Sequence, residues 1–484
     1  MLLGDLLKWT GIKDITSEMK NIDIGSIAID SREVKPDTLF IALPGQKGHG
    51  IDYLDDVVRK GCRVIVAEDF RGKDANKDVF YVKTDDGKKF LREAVRGFYK
   101  EPSKKMEVIG VTGTNGKTTI TYLLEEILRK ANKKTAVIGT INYRYADKVF
   151  ESKNTTPGLI PTQKLLYEIM RSGVSHCLME VSSHALDQGR VDLIDFSSAI
   201  FTNLTGDHLD YHKNMEEYYK AKEKLFTGLA KSCSAIINND DSYSSRLIKS
   251  TRANVLTYGI RNKSDVMAVD IKAHLEGSFF TLQTKTLKEK IETKLIGIHN
   301  IYNLLAAISY CLYRKVSPDI IKKAVKDFNG APGRLERVAL GQDFYIFIDY
   351  AHTEDALRNI LKAVREVSDS KIILVFGCGG DRDKTKRPLM GRAACELADF
   401  SIVTSDNPRS EDPQTIIDEI LKGFHKDNHL EIVNRKEAIK KALSLAGKND
   451  VVILAGKGHE NYQIFKDKTI EFDERDVLRK LLNV

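Results

Sequence analysis

At 484 residues the chain is too long for one ordinary hydrophobic core, which implies two to four domains. Its 42% hydrophobic and 30% charged content excludes a disordered chain, and no apolar run approaches the roughly twenty residues of a membrane-spanning helix. The net charge of +8 comes from dispersed lysines, which describes a solvated surface rather than a nucleic-acid-binding block but still suits an anionic substrate. The N-terminal MLLGDLLKWTGIKD carries Asp5 and Lys8 inside its apolar stretch and lacks the layout of a signal peptide, so a cytoplasmic protein is expected. Cys62, Cys177, Cys233, Cys311, Cys378 and Cys395 are scattered without a CxxC pair, which argues against a zinc ribbon and a disulfide framework.

In chain order, the polar segment 100-KEPSKKME-107 reads as a linker closing an N-terminal part. From residue 106, short apolar runs alternate with amphipathic stretches. MEVIGVT is a predicted strand, KTTITYLLEEILRKA a helix, KTAVIGTI a strand, PTQKLLYEIMRSG a helix, and HCLMEV and FSSAIFTN strands. This rhythm predicts a mainly parallel sheet with helices on both faces. Residues 253–298 break it with alternating, strand-like sequence, before helices predicted from 299-HNIYNLLAAISYCLY-313 and 317-SPDIIKKAVKDF-328. The segment 329-NGAPGRLE-336 punctuates a second boundary. Beyond it YIFIDY, KIILVFG, SIVTS and VVILAG read as strands of another open α/β domain.

Between a predicted strand and a predicted helix lies 111-VTGTNGKTT-119. A strict GxxxxGK[ST] pattern misses it, because its first glycine position falls on Val111. The physics of a phosphate loop is still present. Gly113 and Gly116 let N–H groups curl around phosphate, Lys117 reaches the β/γ oxygens, and Thr118 offers a magnesium ligand. Glu180 ends a buried-type strand, where a carboxylate suits Mg²⁺ or is a surface residue. His208 follows a strand in TNLTGDHLDYH and, taken singly, reads as a loop residue. Lys222 in MEEYYKAKEKLF reads like its neighbours Lys220 and Lys224, a solvated helical lysine. The cluster 377-GCGGDRDK-384 lacks the third glycine of a dinucleotide fingerprint. Polar groups gather after every C-terminal strand: Asp349 and His352, Arg382, Asp406 to Arg409, and 456-GKGHE-460. The stretch 404-TSDNPRSEDP-413 reads, by its turn formers, as a surface loop.

The ordered set TGTNGKTT, NTTPG, EVSSHALDQGRV, TNLTGDHLDYH, HNIYN, APGRLERV, DYAHTEDAL, GCGGDRD, DNPRSEDP and GKGHE, with 30-DSREVKPDTLFIALPGQKGHG-50, resembles the Mur ligases. These are ATP-dependent amide-forming enzymes of peptidoglycan precursor synthesis, and the likeness spans nearly the whole chain, towards the branch that adds the third stem-peptide residue. The resemblance implies three α/β domains. Residues 1–103 would bind the UDP end of the substrate. Residues 104–332 would form a P-loop ATPase-like parallel sheet with an added antiparallel section, and residues 333–484 a Rossmann-like domain for the incoming amino acid.

It also implies roles. Ile29, Ser31, Gln46, Lys47 and Gly48 would lie near the uridine, and Asn154, Thr155, Thr156, Ser182, Gln188 and Arg190 near the muramoyl-dipeptide. Gly113, Thr114, Asn115, Gly116, Lys117, Thr118 and Thr119 would bind ATP with His299, Asn303, Arg334 and Asp349. Thr118, Glu180, His208 and a carbamylated Lys222 would serve Mg²⁺, with Lys117, Lys222, His208 and His352 as the catalytic set. Arg382, Asp406, Asn407, Pro408, Arg409, Gly456 and Glu460 would read meso-2,6-diaminopimelate, added to UDP-MurNAc-L-Ala-D-Glu through an acyl phosphate. A monomer without nucleic-acid or membrane partners is implied. The alternatives are a ligase for meso-lanthionine or L-lysine, and a P-loop ATP-binding regulator without ligase chemistry.

Overall fold

The computed structural model describes residues 1–13, 15–45, 48–207 and 209–483. Three large sheets divide the α/β chain, with a small antiparallel pair, Tyr462–Ile464 and Thr469–Glu471, beside the third. The first contains Ser26–Ala28, Thr38–Ile41, Val64–Ala67 and Phe80–Lys83, all parallel and in chain order. Helices Leu3–Thr10 and Gly87–Tyr99 pack together against it, burying Leu3, Leu6, Leu7, Phe90 and Ala94. Among the described residues, no helix is long and apolar enough to cross a membrane.

The central sheet has eleven strands, parallel in its middle and antiparallel at both ends. Glu107–Thr112 lies between Ser198–Phe201 and His176–Glu180, all three parallel. Alternate side chains of this strand point to opposite faces. Ile109 and Val111 join the core under helices Lys117–Lys130, Ile298–Tyr313 and Pro318–Asp327, whereas Val108 joins the core under Leu159–Arg171 and Met215–Thr227. A parallel strand covered on both faces therefore reads as the continuous apolar run seen in the sequence. The strand-like segment 253–298 forms Asn254–Gly259, Val266–His274, Gly277–Thr284 and Lys288–Thr293, the last two pairings antiparallel as expected. Two pieces escaped the sequence reading. Ser234–Asn238 is a short, fully buried strand, followed by the turn formers 239-NDDS-242. Asn142–Tyr145 and Lys148–Glu151 form an edge hairpin whose outer strand is exposed throughout, so its pattern lacks a buried face.

The third sheet contains Glu336–Val338, Tyr345–Asp349, Val451–Ala455, Ile372–Phe376, Phe400–Val403 and His429–Glu431, in that order. All but the first pairing are parallel. The C-terminal helix Glu474–Leu482 is fastened beneath it by an ion pair that water does not reach. Arg435 Nε donates to Glu474 Oε1 at 2.9 Å and Arg435 Nη2 to Ala455 O at 2.8 Å, both side chains being 0% exposed. Burial outweighs the guanidinium and holds the Glu474 carboxyl above its usual pKa. Such a pair costs most when halved, because one partner then stays buried and unpaired. Arg435→Ala is therefore expected to lower stability by about 3–5 kcal/mol, whereas replacing both partners with apolar residues is close to neutral. Urea unfolding of the single and double variants checks this, and a single variant as stable as the parent protein would disprove it.

Candidate functional site

The strand Glu107–Thr112 ends where the connections of the central sheet diverge, at the crevice in which an open α/β sheet keeps its ligands. Residues 113–116 turn the chain into the helix Lys117–Lys130. Gly113 has φ 150°, and an added Cβ would run into Thr202 Oγ1, so only glycine fits. No side chain caps the helix at Gly116, which leaves its first N–H groups available to an anion. The loop is held from the neighbouring strand end. Thr114 N donates to Asn203 O at 2.9 Å, Asn115 N to Asn203 Oδ1 at 3.0 Å, and Thr202 Oγ1 to Asn115 O at 2.6 Å.

Two lysines converge on one carbonyl in this loop. Lys117 Nζ donates to Gly113 O at 2.9 Å and Thr114 O at 2.8 Å, and Lys222 Nζ donates to the same Gly113 O at 2.9 Å. Lys222 is 2% exposed, which corrects its reading as a solvated lysine. The helix Met215–Thr227 buries Tyr218, Ala221, Lys222, Leu225 and Phe226 on one face, and Lys222 falls in that stripe while Lys220 and Lys224 face water. Burial, then the Lys117 ammonium, pushes the Lys222 pKa well below the lysine range; burial also lowers that of Lys117.

Glu180, at the C-terminal end of its strand, is 1% exposed, so the surface reading of this residue is also corrected. Its carboxylate accepts from Thr118 Oγ1 at 3.0 Å, Thr140 N at 2.9 Å and Thr140 Oγ1 at 2.9 Å. Among the described residues no three His, Cys, Asp or Glu side chains are placed to hold a metal ion by themselves. The hydroxyl of Thr118 and the carboxylate of Glu180 are hard oxygen donors, and one or two such ligands beside phosphates suit Mg²⁺. Thr140 Oγ1 also lies 3.0 Å from Thr155 Oγ1, and Thr156 Oγ1 donates to Glu180 O at 2.8 Å. Ser182 N donates to Thr156 Oγ1, and Arg190 bonds both Thr156 O and Gln188 Oε1. Thr155, Thr156, Ser182, Gln188 and Arg190 thus form one connected group beside Glu180, with Asn154 next to Thr155 and bonded to Tyr143.

The strand ends of the third sheet gather a second group. Residues 404–408, read from their turn formers as a surface loop, are buried, because the 456–460 and 462–464 segments cover them. Asp406 is 7% exposed, and among the described residues no donor or cation pairs with its carboxylate. Gly456, with φ 109°, lies against it: an added Cβ would sit 2.6 Å from Asp406 Oδ2. Arg409 adopts φ 51°, held by a bond from its N–H to Ile464 O at 3.0 Å. Its Nη1 donates to Gly380 O at 2.9 Å, and no carboxylate among the described residues pairs with it. Glu460 Oε2 accepts from Asn407 Nδ2 at 2.8 Å and from Lys457 Nζ at 2.8 Å, and Pro408 is buried behind them.

Between the two groups is a cavity of about 790 Å³, lined on one side by Thr140, Asn154 and Thr155 and on the other by Tyr350, Glu460 and Tyr462. Asn303 is buried with its Oδ1 against Gly116, and Thr119 is buried in the first helical turn. Arg334 stacks on the Tyr350 ring at 5.2 Å beside Asp349, whose oxygens accept from Leu335 N and Ala351 N. Burial raises the Asp349 pKa, with Arg334 opposing. His299, His352 and Arg382 are exposed, and His352 Nδ1 is occupied 2.9 Å from Tyr350 O. Ile29, Ser31 and Gly48 belong to the first sheet unit, separate from both groups, and Gln46, Lys47 and His208 lie outside the described residues. Sequence reasoning passed over Thr140, Asn203, Tyr350 and Lys457. Thr140, Asn203 and Tyr350 lie at the C-terminal ends of predicted strands and Lys457 directly follows one, so the strand-end rule that selected Glu180 and Asp349 also reaches them.

Three family models match in order: "Mur ligase family, catalytic domain" over residues 23–99, "Mur ligase middle domain" over 111–311, and "Mur ligase, glutamate ligase domain" over 333–458. The chain is 46% identical over 484 residues to the UDP-N-acetylmuramoyl-L-alanyl-D-glutamate–2,6-diaminopimelate ligase of Caldanaerobacter subterraneus subsp. tengcongensis, covering 100% of this chain and 99% of the relative. It is 43% identical over 464 residues to the Clostridium tetani ligase of the same name, covering 95% of each. A solved structure of a ligase of that name superposes with a TM-score of 0.73 at 31% identity, over 100% of this chain and 99% of the other.

Because Gly113 has no room for a Cβ, Gly113→Ala is expected to displace the loop and the carbonyl that both lysines share. At a strain of roughly 1–3 kcal/mol, nucleoside triphosphate affinity falls about tenfold or more. Calorimetric titration of the variant reads this directly, and unchanged affinity would show that the loop does not hold the phosphates.

Proposed function

The chain belongs to the Mur ligase family, and from that premise and the geometry of its two strand-end groups we propose that it adds meso-2,6-diaminopimelate to the D-Glu γ-carboxylate of UDP-MurNAc-L-Ala-D-Glu, with ATP as co-substrate, in peptidoglycan precursor synthesis. The observation that supports this reading best is the cavity between the two groups, lined on one wall by Thr140, whose hydroxyl shares the Glu180 carboxylate with Thr118 of the phosphate loop, and on the other by Glu460 of the second group. An amide-forming ligase needs that pairing: one site to activate an acid and one to deliver an amine.

In this reading Gly113 to Thr119 take the triphosphate, with His299, Asn303, Arg334 and Asp349 around the rest of the nucleotide. Asn154, Thr155, Thr156, Ser182, Gln188 and Arg190 hold the dipeptide end, and Ile29, Ser31, Gln46, Lys47 and Gly48 the uridine. Thr118 and Glu180, with His208 and a carbamylated Lys222, hold magnesium, which when bound neutralises phosphate charge. Lys222 suits that modification. Its amine is buried and pushed towards the uncharged form, which is the nucleophile for CO₂. The uncharged amine attacks the CO₂ carbon, one C=O bond opens to a carboxylate oxygen, and the N–H proton leaves; counted from the ammonium, two protons are released and a cation facing Lys117 becomes an anionic oxygen ligand.

A carboxylate is a poor acyl donor, so its oxygen first attacks the γ-phosphorus of ATP, and ADP leaves. Lys117 releases the loop carbonyls it occupies in this structure and neutralises the transferring group. The amine of the diamino acid then attacks the acyl phosphate, and the tetrahedral adduct expels phosphate. Asp406 and Glu460 hold the distal ammonium, with Gly456 admitting it, while Arg409 pairs with the distal carboxylate, Asn407, Pro408 and Arg382 complete the pocket, and His352 orients the peptide end. L-Lysine lacks that carboxylate and would leave a guanidinium unpaired, which is an effective basis for rejection. Closure of residues 1–103, 104–332 and 333–484 about their boundaries brings the three substrates together in a monomer.

Lys117→Ala is expected to abolish substrate-dependent ADP release, measured with UDP-MurNAc-L-Ala-D-Glu present; near-normal ligation would overturn the phosphate-loop assignment. Arg409→Ala should raise the KM for meso-diaminopimelate about tenfold to a hundredfold, as expected for losing a charged hydrogen-bonded pair, with the KM for ATP nearly unchanged. Side-by-side turnover of meso-diaminopimelate, meso-lanthionine and L-lysine decides the selectivity, and equal use of L-lysine by the unaltered protein rules it out.

A further inference from the structure

Lys457 has an unusual position for a lysine: its side chain is 0% exposed, beneath the loops that carry Asp406, Asn407 and Glu460. An ammonium has three donors and no acceptor. Here one reaches Glu460 Oε2 at 2.8 Å and one Asn407 Oδ1 at 3.1 Å, while the Tyr462 ring centroid lies 5.2 Å from Nζ. The group is buried, yet it is fully engaged.

Those contacts decide which polar atoms of its partners remain free for a ligand. Asn407 Oδ1 accepts from Lys457 and from Ile464 N at 3.0 Å, which fixes the side-chain amide with Nδ2 towards Glu460 Oε2. One N–H of that amide remains for a ligand. Glu460 Oε2 is saturated by Lys457 and Asn407, so Oε1 is left as the acceptor, with only a 3.3 Å contact from Tyr350 OH. Glu460, Tyr350 and Tyr462 all line the cavity. Charge points the same way. With Lys457, the loop group has three cations (Arg382, Arg409, Lys457) and two carboxylates (Asp406, Glu460). A diamino dicarboxylate with one neutral, attacking amine carries one net negative charge and balances it; a diamino monocarboxylate does not.

We propose that Lys457 is the positioning residue of the amino-acid site. It aims one N–H of Asn407 and Oε1 of Glu460 at the incoming amine-bearing substrate, and its buried charge favours a dicarboxylate over a monocarboxylate. This rests on the assignment of the 406–409 and 456–460 loops as the amino-acid site. Lys457 acts through Glu460 and Asn407 and touches no reacting atom.

The test uses Lys457→Met, which keeps the stem and removes the charge, and Lys457→Gln, which restores a donor should the Met variant not fold. Thermal melts establish folding. The KM for meso-diaminopimelate is expected to rise about ten- to a hundredfold, with kcat and the KM for ATP shifting far less, and the preference over L-lysine to narrow. In a cycle with Glu460→Gln the two losses should be strongly non-additive, because one acts through the other. A folded Lys457 variant with an unchanged KM for meso-diaminopimelate, or losses that simply add, overturns the proposal. Arg409→Ala run in parallel separates the two failures: if it too leaves that KM unchanged, the site assignment is wrong, and if it alone raises it, only the role of Lys457 is.

Discussion

Two lysine ammonium groups donate to a single carbonyl, that of Gly113, and the rest of the site is arranged around that crowding. Like charges this close are tolerated only where something offsets them, and in a poorly solvated setting the offset is large. The loop carbonyls supply part of it, and the lowered pKa of Lys222 supplies another part. The arrangement is therefore poised for anions. A triphosphate relieves Lys117, and conversion of the Lys222 amine to a carbamate removes one of the two cations. The absence of a Cβ at Gly113, the pinning of the loop by Thr202 and Asn203, and the placement of Lys222 on the buried helix face all serve this one point of contact.

The second group of loops has the opposite problem. Among the described residues, Asp406 is a nearly buried carboxylate with no donor, and Arg409 is a guanidinium with only carbonyl partners. Unpaired buried charges are expensive, and a substrate carrying both an ammonium and a carboxylate satisfies both. The fully engaged Lys457 between Asn407 and Glu460 differs from both: its partners are internal, so its work is to hold the loops rather than to meet a ligand. One cavity lies between Glu460 of this group and Thr140, whose hydroxyl shares the Glu180 carboxylate with Thr118 of the phosphate loop, an arrangement suited to transfer between two walls.

Parallel sheets explain why the two walls can exist in one chain. A parallel strand delivers its C-terminal end, and the loop after it, to the same edge as its neighbours. The central sheet brings Gly113, Glu180 and Thr202 to one edge, and the third sheet brings Asp349, Asp406 and Gly456 to another. Much of this was legible. The strand–loop–helix order around 111–119, the strand-end carboxylates and the ordered motifs identified the fold class and the family. Most apolar runs that mark doubly covered parallel strands were legible, with Ser234–Asn238 passed over, whereas the exposed hairpin strand Lys148–Glu151 had no buried face to betray it.

What the sequence by itself determined is whatever repeats locally: the β–α rhythm, the glycines where φ or space permits nothing else, and the residue types offered at each strand end. Tertiary structure decided burial and partnership, which local composition does not encode. It made Lys222 a core residue rather than one more surface lysine, although its helical spacing from Tyr218 and Leu225 held the clue. It covered the first half of TSDNPRSEDP, residues 404–408, because segments some fifty residues further along the chain fold over it and take its hydrogen bonds. It also gave Lys457 its three partners. A charge buried by distant segments gets its role from which atoms surround it, and only the folded chain brings those atoms together.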